Sequence, residues 1–147
     1  MLNSYIKVAL IDITQHIVLG VLSVFPLVLK NPFYLPFAVL FSVFPDIDHV
    51  IVAKSFSIRK MLSLGRRPFL HSIPAVLLTS SLIYVLSGNY RFAYMVFITG
   101  TTHLVWDLCT GGVRLFYPFK RNFEIPKKWA FPLILFFDII SIIISLK

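Results

Sequence analysis

Four stretches of this chain, residues 13–29, 31–45, 68–90 and 92–106, contain no Lys, Arg, Asp or Glu, and a fifth, 129–146, is broken only by Asp138. One helical crossing of a bilayer takes about 20 predominantly apolar residues. The run 68–90 reaches that length alone, and the others reach it when a His or Asp is admitted near one end. A soluble core with 58% hydrophobic residues would be left with almost no polar surface. The expected fold is therefore all-α: a polytopic membrane protein, a bundle of about five transmembrane helices in one domain, 1–147. The apolar pattern predicts helices over about 9–29, 33–52, 69–87, 92–109 and 129–146. Pro26 and Pro36 are the expected kink sites, Asn31-Pro32 and Ser87–Tyr90 the tight turns, and Gly111-Gly112 the stop of the fourth helix.

Charge sets the expected orientation. The net charge of +8 suits nucleic acid in principle, but the cations are gathered into two loops. Lys54, Arg59, Lys60, Arg66 and Arg67 lie in one, and Arg114, Lys120, Arg121, Lys127 and Lys128 in the other. The positive-inside rule places both in the cytoplasm. With five crossings the N-terminus is cytoplasmic too, leaving only Lys30, Arg91 and Lys147 outside. Such loops suit anionic lipid head groups, so the expected partners are membrane lipids and no nucleic acid. The single Cys109 excludes an internal disulfide. The sequence carries no signal for oligomeric state.

The remaining polarity is confined to short islands: His16, the run Pro45-Asp46-Ile47-Asp48-His49, His71, and His103 with Asp107. Ionisable groups are costly in or beside a bilayer, and their default reading there is functional. On the topology drawn from Lys and Arg alone, all of these islands fall at the cytoplasmic level. His103 and Asp107 are four apart and share a helix face. Asp12 and His16 have the same spacing, so Asp12 can orient His16. Imidazole with carboxylate suits Zn or Mn, and carboxylate also suits Mg. The candidate ligands Asp46, Asp48, His49, His71, His103 and Asp107 exceed what one tetrahedral ion needs. They fit one or two divalent cations, two being bridged by a carboxylate. The Gly-rich phosphate loop and the Gly-x-Ser-x-Gly elbow are both missing. The expected chemistry is metal-assisted hydrolysis at the cytoplasmic interface. His16 or His71 would move the proton, and Arg66 and Arg67 would steady the oxygens of a lipid or polyprenyl phosphoester. The rival readings are a metal-ion transporter, which also places His and Asp in membrane helices, and a non-catalytic, metal-stabilised membrane adaptor.

The order of these motifs resembles the membrane-bound metal-dependent hydrolases of YdjM type, also described as LexA-binding, inner-membrane-associated hydrolases. The likeness rests on His16-Ile17-Val18-Leu19-Gly20, Pro45-Asp46-Ile47-Asp48-His49, and Arg67 with His71-Ser72. Its most specific block is Gly100-Thr101-Thr102-His103, Asp107, Thr110, Gly112-Val113 and Tyr117-Pro118-Phe119. The resemblance implies a membrane-bound hydrolase that uses a metal. One departure stands out: the family pattern before His71 usually reads His-Arg-Gly-x-Thr-His-Ser. Here Arg66 stands where a histidine is expected, and Leu70 where a threonine is expected.

Overall fold

The computed structural model describes residues 4–62 and 68–145. They form eight α-helices: α1 (Ser4–Ser23), α2 (Phe25–Lys30), α3 (Tyr34–Val43), α4 (Ile47–Ala53), α5 (Ile58–Leu62), α6 (Ile73–Ser87), α7 (Tyr90–Thr110) and α8 (Ala130–Ser145). The only β-pairing among the described residues is an isolated bridge between Val113 and Phe123.

The first expected helix is interrupted at Val24, where the ladder resumes with Pro26 near the start of α2. Proline has no N–H to donate to the preceding turn, which is why a helix breaks beside it. The second expected helix breaks at Pro45, not at Pro36. Pro36 falls in the first turn of α3, where the missing N–H has no intrahelical partner to lose. Pro45 falls at the far end and forces the 3-10 turn Phe44–Asp46 between α3 and α4. The third helix starts at Ile73, later than expected, because Ser72 caps it: its Oγ accepts from the Ala75 N–H at 3.4 Å. The Asn89 side chain caps α7 in the same way, accepting from Arg91 and Phe92. The loop expected before α6 contains the short helix α5.

Among the described residues, two stretches are by length and composition able to cross a membrane, Ser4–Ser23 and Tyr34–Ala53. The helix α6 is 15 residues long, and α7, at 21, carries Arg91, His103 and Asp107 within its apolar run. Along the helices the exterior is apolar: Val8, Leu29, Ile51, Leu78, Val85 and Phe131 are all more than half exposed. In water so much exposed apolar surface is unstable, and in lipid it is the favoured exterior.

The helix α7 is the axis of the bundle and packs against α1, α3, α6 and α8. Its first half contributes Met95, Val96 and Ile98 to an apolar core with Val24, Leu27, Tyr34 and Ala38. Its second half carries His103 and Asp107, both buried. One end of the bundle is thus a dry apolar core, and the other is polar.

Candidate functional site

At the polar end, α1, the α3–α4 break, the turn before α6 and the last turns of α7 converge. His16 comes from α1, Asp46, Asp48 and His49 from the break and α4, His71 from the turn, and His103 and Asp107 from α7. The His49 and His71 rings lie 4.9 Å apart, and those of His71 and His103 5.1 Å apart. His16 stacks on His103 with ring centroids 3.6 Å apart. The sequence islands therefore meet in space.

Four ligand-type atoms face one another at the centre. His71 Nε2 is 3.4 Å from Asp46 Oδ1 and 3.4 Å from Asp107 Oδ2. His103 Nε2 is 3.3 Å from Asp107 Oδ2 and 3.7 Å from Asp46 Oδ1. Donors held about 2.1 Å from one tetrahedral ion stand roughly 3.4 Å from each other. His71, His103 and Asp107 form a three-residue group with ligand spacing, and Asp46 Oδ1 lies beside both histidines. Further three-residue groupings with ligand spacing are His16–Asp46–His103 and Asp46–His49–His71. Asp107 joins the halves, since its Oδ1 lies 3.5 Å from His16 Nε2.

Both central histidines are held from behind. His103 Nδ1 is 2.7 Å from the Ser42 carbonyl, so Nδ1 carries the proton and Nε2 presents its lone pair to the centre. Ser42 lies in the last turn of α3, where carbonyls lack an intrahelical donor. His71 Nδ1 lies 3.3 Å from Asp48 Oδ1, while Asp48 Oδ2 accepts the Leu70 N–H at 2.6 Å. Asp48 is thus placed behind His71. On α1, Asp12 lies 3.8 Å from His16 Nε2. His71 sits in the turn before α6, outside the spanning helices. Burial opposes its charge, but hydrogen bonds to Asp46 and Asp48 and the charges of Asp107 and Asp48 outweigh this. The result is a pKa raised to about 9. So many carboxylates in one buried place demand positive charge.

Sequence reasoning missed the backbone groups, the Ser42 carbonyl and the Leu70 N–H, because every residue carries both. It also gave no role to Gly20. A Cβ there would overlap the Ser42 side chain, so this glycine lets α1 approach α3 and fixes the carbonyl that orients His103. Gly20→Leu is expected to cost about 1–3 kcal/mol by overpacking. It should also weaken cation binding, which thermal melts and metal titration of the purified variant would measure. Gly112, at φ 71°, stops α7 in a conformation that favours glycine and turns the chain into the Val113–Phe123 bridge. Arg66 and Arg67 lie outside the described residues.

An all-helical chain with an apolar exterior and ionisable side chains gathered inside has the build of a membrane protein with a buried polar centre. The chain belongs to the YdjM inner membrane protein family, whose model matches residues 11–146. It is also similar to a protein named transmembrane protein 267. The Bos taurus protein is 36% identical over 88 residues, covering 55% of this chain and 40% of the relative. The Mus musculus protein is 32% identical over 91 residues, covering 57% and 42%. The chain therefore matches about two fifths of the length of these curated relatives. No solved structure matches it. The membrane location expected from the charge-free runs is thus supported by relatives as well as by composition.

Proposed function

We propose that the protein is a metal-dependent hydrolase whose centre lies at the cytoplasmic face of the membrane, acting on a phosphoester of a lipid or polyprenyl carrier. In this reading the chain crosses the membrane about five times with its N-terminus inside. The observation that carries it is the buried group His71, His103 and Asp107, whose donor atoms have ligand spacing, with Asp46 Oδ1 beside both histidines. The segments 54–60 and 114–128, rich in Lys and Arg, adjoin the same end of the bundle and suit a phosphate-bearing head group.

A divalent ion such as Zn or Mn supplies Lewis acidity and lowers the pKa of water. The chain's own residues do the rest. His71 and His103 hold their Nε2 atoms inward, because Asp48 and the Ser42 carbonyl engage Nδ1. Asp107 reaches both histidines with one oxygen and His16 with the other. His16 is buried, and neither ring nitrogen hydrogen-bonds among the described residues. It is placed to take the proton that water loses on attack, with Asp12 and Asp107 stabilising the imidazolium.

Purified protein in nanodiscs, supplied with Zn or Mn, should release phosphate from a lipid phosphoester, and His103→Ala should abolish this. Turnover that survives in His103→Ala, or a wild type inactive on a panel of lipid and polyprenyl phosphoesters, would contradict the proposal.

A further inference from the structure

We infer that a cavity beside the cluster binds a hydrocarbon tail of an amphiphile and delivers its anionic head to Asp46 and His49. This rests on the reading of the centre as a cation site. The cavity has a volume of about 550 Å³ and lies between α1, α4, α5 and the segment after α7. Small-molecule sites span about 300–1,000 Å³. The cavity is therefore of a size to take an alkyl chain.

Its lining is divided. Ile13, Ile47, Val50, Ile58 and Met61 form an apolar wall, while Asp12, Asp46 and His49 mark the end that meets the cluster. Ile13 and Ile47 are 40% and 44% exposed, so their apolar faces are open to an occupant. A water-soluble ester gains nothing from such a wall, whereas every methylene laid against it from water is stabilised. The head is recognised by charge. Asp12 and Asp46 alone repel an anion, and a divalent cation at the centre reverses that sign. An alkyl phosphoester is therefore held more tightly with the cation than without it, whereas the uncharged long-chain alcohol needs only the wall.

The test uses the full chain in nanodiscs with two radiolabelled probes: hexadecylphosphonate, which cannot be hydrolysed, and hexadecanol. Wild type should bind both saturably, with Mn²⁺ strengthening only the phosphonate. Val50→Trp, which fills the cavity, should weaken both by at least about ten-fold while Mn²⁺ content stays unchanged. Met61→Trp, on the short helix α5, gives the same test from a second lining residue should Val50→Trp disturb α4. No saturable hexadecanol binding by wild type, or undiminished binding by the Trp variants, overturns the inference. Hexadecanol binding that is lost in the Trp variants, with phosphonate binding indifferent to Mn²⁺, keeps the tail site and overturns the cation reading instead.

Discussion

Asp107→Asn is expected to strip the protein of its cation and of all turnover while leaving the fold in place. The amide has the shape of the carboxylate but no negative charge, and it offers N–H donors where ligand lone pairs are needed. Asp107 is the residue with most at stake, because its two oxygens face His71, His103 and His16 at 3.3–3.5 Å. Loss of a supporting residue behind a ligand already weakens metal affinity by about 10–100-fold. Loss of a shared central carboxylate should exceed that, by on the order of 1,000-fold. Titration with Zn or Mn under matched conditions measures it. Asp138→Asn is the control, since Asp138 lies on α8, a helix that supplies none of the cluster's ligands. It should bind metal as wild type does. Equal affinity in Asp107→Asn and wild type would remove Asp107 from the centre.

Chelation is expected to destabilise the whole bundle. The centre ties α1, the α3–α4 break, the turn before α6 and α7 together, so losing the cation leaves four helical segments with carboxylates crowded in a buried space. An ion present at 1,000 times its dissociation constant stabilises by about 4 kcal/mol. For a chain of this size that corresponds to a fall in melting temperature of roughly 10 °C. Thermal unfolding in detergent, with EDTA and after adding back Zn or Mn, should show the loss and its recovery. Asp107→Asn should melt at the chelated temperature and ignore both additions. A melting curve unmoved by EDTA would mean that no bound cation ties these segments together.

Much of this site is legible in the sequence, and the reason is physical. Apolar runs leave polar residues few places to occur, so His16, the 46–49 run, His71 and His103 with Asp107 stand out as islands. Orienting the helices by Lys and Arg then brings these islands to one end. The family blocks mark the same positions, and the matched model spans residues 11–146. Helix breaks are harder to read, because a proline's effect depends on its place in the turn: Pro36 is harmless at the start of α3, whereas Pro45 ends it. Groups contributed by the backbone carry no signature, so the Ser42 carbonyl behind His103 and the Leu70 N–H beneath Asp48 needed coordinates. The tail cavity was illegible for a similar reason. It is formed where α5 and the chain after Gly111 fold back over α1 and α4, and neither segment has a periodic pattern that announces a wall.

X-ray absorption at the edge of the bound metal, recorded on wild type beside His103→Ala, addresses the convergence directly. Wild type should show only nitrogen and oxygen neighbours near 2.0–2.1 Å, with the outer-shell scattering of two imidazoles, and the variant should lose one imidazole or the metal itself. A metal surrounded by oxygen alone, or a spectrum unchanged by His103→Ala, would mean that the cation sits elsewhere and that the buried histidines serve only packing.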